Sequence, residues 1–274
     1  MTMMPLIPLL VYAAALVGYA VHFGNRNAAL GRLSTALLVT GAIAHTFVVG
    51  MQTMAAGHLP ITDAASAVST FVLLLVLAYL YTEMATQERA MGVLITALVV
   101  LLQVVPVLVP GVEAPSDALR GPLFGLHVAT LLFAYASFAL ACVVGVTYLL
   151  LFAEIKARHL GFFYARLPSL QSLDAMNSRA VAVGWACLTI GIVAGMLWTS
   201  QAPGTDPRVQ AVSLRDPKIL VALVCWLVYS FETFLARRLG WSGRRAAYLS
   251  VCGFAIVLLN FLPISYFLSK SHTF

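Results

Sequence analysis

The chain has 274 residues, 61% of them hydrophobic and 9% charged, with 16 Lys and Arg against 10 Asp and Glu for a formal net charge of +6. Soluble domains carry roughly 25% charged residues, so this composition excludes a soluble globular enzyme and a disordered chain. The basic residues are scattered without an aromatic-interleaved patch, which argues against nucleic acid as a partner and for membrane topology and contact with anionic lipid.

The expected fold class is all-α: a polytopic membrane helix bundle of eight transmembrane helices with both termini outside. A single integral membrane domain over 1–274 is expected, with spans at about 4–23, 30–54, 64–83, 90–110, 123–153, 180–200, 217–236 and 246–269. Each run suffices to cross a hydrocarbon core of about 30 Å. The first, MTMMPLIPLLVYAAALVGYAVHF, has neither a charged n-region nor a small-residue cleavage site and is expected to be retained as a span. The second carries His45, and the short loop GHLPITD after it carries His58. The fifth opens in GPLFGLHVATLLFAYASF with His127; it exceeds one untilted crossing, so its end, FAEIKAR, is expected to continue as helix past the membrane. Residues 158–179 are too polar for a span and predict an inner connector, a short surface helix with Phe162, Phe163 and Tyr164 at the interface.

The sixth span contains Gly191 and Gly195, a GxxxG that lets helices approach closely, and ends at Trp198. The longest outer loop, 199–217, follows. Glu232, a turn from the inner end of the seventh span, is expected to snorkel or to pair with an arginine such as Arg237. The tail after the eighth span reads SKSHTF and carries His272.

Loop charge sets the orientation. Arg26, Arg32, Arg89, Lys156, Arg158, Arg166, Arg179, Arg237, Arg238, Arg244 and Arg245 fall on one side, and Arg120, Arg208, Arg215, Lys218 and Lys270 on the other. The richer side is assigned to the cytoplasm. Cys142, Cys187, Cys225 and Cys252 sit in four different apolar runs without a CxxC pair, so each reads as a small buried hydrophobe. Walker A, GxSxG, HExxH and dinucleotide fingerprints are all missing, so no catalytic residue is assigned and the chain is not expected to be an enzyme. No internal repeat marks a solute transporter.

The topology sorts the six histidines. His22 and His159 fall on the inner side; His45, His58, His127 and His272 fall in the outer half. His127 and His272 come from distant helices at similar depth. Two such neutral imidazoles suit an iron porphyrin with two axial ligands. They would also suit a metal ion, although no third ligand at fixed spacing supports that. His45, the one histidine well inside a span, is either a functional group or a neutral imidazole bonded to a neighbouring helix; with His58 it forms a possible second site.

The C-terminal half resembles the cytochrome c assembly membrane proteins, the CcsA/CcmC/CcmF group, and within it the small eight-span HemX/YpjD-type members. The resemblance runs through LFGLHVATLLFAYASFALACVVGVTYLLL, LPSLQSLDAMNSRAVAVGWACLTIGIVAGMLW, DPKILVALVCWLVYSFETF and GWSGRRAAYLSVCGFAIVLLNF to SHTF, with a fainter match over 45–69. It implies heme, b-type and non-covalent, held at the outer face of a bacterial cytoplasmic membrane by His127 and His272 as iron ligands. Trp198 and Asp216-Pro217-Lys218 match the two ends of the family's tryptophan-rich loop. The implied partners are heme, another membrane protein or cytochrome c assembly component, and membrane lipids. Two departures stand out. The loop between Trp198 and Asp216 lacks the central tryptophans, and no histidine stands near Phe234 and Leu235 late in the seventh span. A HemX/YpjD-like structural or regulatory subunit with a degenerate heme site therefore stays open beside heme delivery in cytochrome c biogenesis. Arg120, Arg215 or Lys218 would face the heme propionates.

Overall fold

A computed structural model describes residues 4–61, 63–109, 121–158, 161–201, 217–236 and 238–259. All secondary structure among them is helical: α1 (Leu6–Asn25), α2 (Ala28–Ala56), α3 (Ala64–Thr86), α4 (Gly92–Gln103), α5 (Val105–Leu108), α6 (Pro122–Lys156), α7 (Phe162–Arg166), α8 (Leu170–Gln201), α9 (Pro217–Ser230) with a π-helical continuation (Phe231–Ala236), and α10 (Arg244–Leu259). Five of these, α1, α2, α3, α6 and α8, are long and apolar enough to cross a membrane, and the stretches 92–108 and 219–234 are shorter apolar helices.

The boundaries follow from local chemistry. The Asn27 side chain accepts from the N–H groups of Ala29 and Leu30 and starts α2 one residue after Arg26 ends α1 in the left-handed region. Asp63 does the same for α3 through Ala65 and Ser66. Unpaired helix-end N–H groups need such acceptors, because a helix supplies none in its first turn. The fourth apolar run is broken: α4 stops at Gln103 and α5 begins at Val105, where Pro106 withholds an N–H from the ladder. Pro122 occupies the first turn of α6, where its missing N–H costs nothing. As expected, α6 runs unbroken past FAEIK; its 35 residues span about 52 Å, well beyond a hydrocarbon core of about 30 Å.

The inner connector departs from expectation. Only Phe162–Arg166 forms a separate short helix, and residues from Leu170 onward belong to α8. Ser169 Oγ accepts from the Ser172 N–H and starts that helix. The polar residues that argued against a span are paired within the bundle near the start of α8. Ser172 donates to Glu88, Asp174 accepts from the Gly243 N–H, and Asn177 donates to Ser250.

Packing centres on α6, which touches α3, α8 and α10, while α1 packs on α2 and α4, which both reach α3. Phe138 of α6 lies flat on Tyr229 of α9, ring centroids 3.6 Å apart. The cysteine expectation holds for Cys225, which is buried, and fails for Cys252, which is exposed on the apolar outer face of α10; Cys142 and Cys187 are half-buried. In a membrane bundle an exposed apolar face meets lipid, so apolar character alone does not decide which cysteines are internal.

Candidate functional site at the α6–α8 contact

Antiparallel packing brings the first turns of α6 against the last turns of α8. His127, the sixth residue of α6, meets Gly191, Gly195 and Trp198 there. The His127 Nδ1–H donates to the Gly191 carbonyl at 2.7 Å. That bond leaves Nε2 as the unprotonated nitrogen, the one with a lone pair for a metal. The ring lies nearly parallel to the Trp198 indole, centroids 6.5 Å apart and planes 16° apart. Phe124, one turn earlier, packs on the same indole at 5.2 Å. The site is thus an apolar aromatic wall with one oriented imidazole, partly open at the surface. Chemically the arrangement offers one neutral imidazole nitrogen as a metal ligand beside apolar aromatic rings.

The other predicted residues are placed as follows. His45 is fully buried in the opposite half of the bundle. Its Nδ1 bonds to the Tyr12 hydroxyl at 3.1 Å and its Nε2 to the Ser69 hydroxyl at 2.9 Å, so it links α2 to α1 and α3 with both nitrogens engaged. His58 stands in the α2–α3 loop with Nδ1 bonded to the Leu59 carbonyl. Leu59 reaches the Gly125 position of α6. Residues two apart on a helix face nearly opposite ways, so this loop covers the side of α6 away from the His127 contact. His45 and His58 thus contact different elements, and among the described contacts neither touches His127. His272, Asp216, His159, Arg237, Arg120 and Arg215 lie outside the described residues.

Two features were not expected from the sequence. Glu232 does not snorkel. It is buried where the π-helical segment faces α8 and α10, and its Oε1 accepts from Ser250 Oγ at 2.6 Å and from Asn177 Nδ2. It lines a cavity of about 230 Å³ together with Asp174, Ser178 and Trp241. Glu83, also buried, accepts from the Tyr19 hydroxyl at 2.7 Å and from Thr35, with Arg89 Nε 3.5 Å away. The Glu-x5-Arg spacing at the end of the third apolar run was the available signal for that pairing.

Comparison with known proteins decides the family. The sequence model described as Cytochrome C assembly protein matches residues 2–272. The chain belongs to this family. It is similar to the cytochrome c biogenesis protein CcsA of Guillardia theta, 24% identical over 262 residues that cover 86% of this chain and 83% of that protein. The CcsA of Trieres chinensis is 23% identical over 300 residues, covering 97% and 94%. The CcsA of Parasynechococcus marenigrum reaches 36% identity over 102 residues, covering 36% of this chain and 31% of that protein. As a family member with several spanning helices, the chain is a multi-pass membrane protein with a role in cytochrome c assembly.

Proposed function

We propose that this assembly-family protein binds heme at the outer end of the α6–α8 contact, with His127 as one axial ligand and His272 as the other. The single observation that carries the reading is the hydrogen bond from His127 Nδ1–H to the Gly191 carbonyl, because it leaves Nε2 free beside an aromatic wall. Metal-bound histidines almost always donate their second ring N–H to a carbonyl or carboxylate. Phe124 and Trp198 would cover a porphyrin edge that has few polar groups of its own. Bound heme supplies an iron with two axial positions and two propionates that need charge-assisted partners. The described residues offer one axial ligand, and the resemblance supplies the other. The protein makes and breaks no covalent bond; it holds and hands on heme, b-type and non-covalent.

The orientation in this reading puts eight spans in a cytoplasmic membrane, the loops after spans one, three, five and seven inside and both termini outside. A second reading, a HemX/YpjD-like subunit acting on a partner protein with a decayed heme site, is favoured by the lack of tryptophan between Trp198 and Asp216. One experiment separates the two. The protein is purified in detergent after expression with ample heme, and oxidised and reduced visible spectra are recorded. Heme delivery expects a six-coordinate low-spin spectrum that collapses in both His127→Ala and His272→Ala. A colourless protein that also fails to take up added hemin removes the heme reading and leaves the regulatory one.

A further inference from the structure

The GxxxG of α8 has two halves that do different things. A Cβ at Gly191 would meet Leu131 Cδ2 at 2.7 Å and Thr130 Oγ1 at 3.0 Å, the ordinary close approach of two helices. A Cβ at Gly195 would meet the imidazole of His127, Nδ1 at 2.6 Å and Cε1 at 2.7 Å. In an α-helix the carbonyl of residue i points toward residue i+4 and accepts its N–H. The flank of the Gly191 carbonyl is therefore bordered by the residue at 195. Any side chain there would occupy the space through which His127 Nδ1 reaches the oxygen.

We propose that Gly195 is a positioning residue: by lacking a side chain it opens the second lone pair of the Gly191 carbonyl to His127, and so fixes the imidazole in the Nδ1–H tautomer with Nε2 presented to a ligand. The carbonyl is shared between the helix ladder and the histidine, so the acceptor costs the bundle no backbone bond. Trp198, one turn beyond, lies along the ring and limits its rotation. The proposal deepens the heme reading and rests on it for the identity of the ligand. The tautomer itself is a property of the protein alone.

The test has two arms. In the first, histidine is labelled with nitrogen-15, the protein is kept free of heme, and His127 is assigned by loss of its signals in His127→Gln. The expected result is a neutral ring protonated at Nδ1 in the wild type and a changed or mixed tautomer in Gly195→Ala. In the second arm hemin is titrated and the redox midpoint is measured. Loss of an outer hydrogen bond to a metal-bound histidine weakens binding by about 10–100-fold, so Gly195→Ala is expected to retain hemin that much less tightly. Its midpoint is expected to rise, because the imidazole becomes a poorer electron donor. A wild-type His127 protonated at Nε2 overturns the proposal, and this arm decides alone if Gly195→Ala does not fold. A Gly195→Ala protein that folds and keeps the wild-type Nδ1–H tautomer also overturns it. A wild type that shows the Nδ1–H tautomer but takes up no hemin keeps the positioning role and removes heme as the ligand it serves.

Discussion

The buried carboxylate near the C-terminal end of α3 offers the sharpest stability prediction. Glu83 is 1% exposed and holds three groups from three other segments: the Tyr19 hydroxyl on α1, the Thr35 hydroxyl on α2 and Arg89 before α4. Glu83→Ala removes the acceptor for two hydroxyls and the counter-charge for an arginine that is itself only 26% exposed. A hydrogen bond to a charged group contributes about 1.5–3 kcal/mol, and a buried group left unpaired costs about 1–3 kcal/mol. Breaking one side of a buried ion pair costs about 3–5 kcal/mol in measured cases, and that is the loss expected here. Glu83→Gln keeps an acceptor oxygen for one hydroxyl and should lose roughly half as much, by the same hydrogen-bond magnitudes. In the double variant Glu83→Met with Arg89→Met, no charge is left stranded, so its loss should fall short of the sum of the singles by about 1–3 kcal/mol. The assay is reversible unfolding in mixed micelles as the fraction of denaturing detergent rises. Losses within about 1 kcal/mol of wild type for Glu83→Ala, or strict additivity in the double variant, would refute the reasoning, because either result means the three partners are satisfied without the carboxylate.

The same reasoning gives two further expectations. His45→Ala strands the Tyr12 and Ser69 hydroxyls and opens a buried gap, so it should destabilise by about 2–5 kcal/mol in the same micelle assay while leaving any heme spectrum unchanged; a lost spectrum in a folded variant would make His45 part of the site. The proposed orientation expects a cysteine at Ser242 to react with an impermeant maleimide only in inside-out vesicles, and one at Thr205 only in right-side-out vesicles. Reaction of both from the same side would overturn it.

Much of the bundle was legible because membrane burial writes a coarse signal. An uninterrupted apolar run leaves few choices but a helix, since every backbone group must be paired within the segment. That signal placed α1, α2, α3 and α6 within a few residues. It failed at α8, where the helix starts at Leu170. Hydropathy reads Gln171, Ser172, Asp174 and Asn177 as unfit for a span, and it carries no information on partners supplied by Glu88, Gly243 and Ser250. The snorkelling expectation for Glu232 failed for the same reason: snorkelling is the outcome for a long polar side chain with nothing to bond to, and here Ser250 and Asn177 donate hydrogen bonds to it in the interior.

The site shows where one-dimensional reading stops. His127 and Trp198 were legible as candidates for a heme site, but the two glycines pointed only to helix approach, and nothing in the sequence joined them to the histidine. Their joint meaning depends on antiparallel register. With α6 entering at Pro122 and α8 leaving at Gln201, the sixth residue of one helix falls beside the last turns of the other. A slip of one residue in that register would rotate Gly195 by about 100° and put a side chain against the imidazole. The histidine's tautomer, and with it the nitrogen available for coordination, is therefore set by how the rest of α6 and α8 pack. Phe138, well inside the bundle, fills the place where a Cβ at Gly184 of α8 would stand, 2.4 Å from its ring, and so helps hold that register.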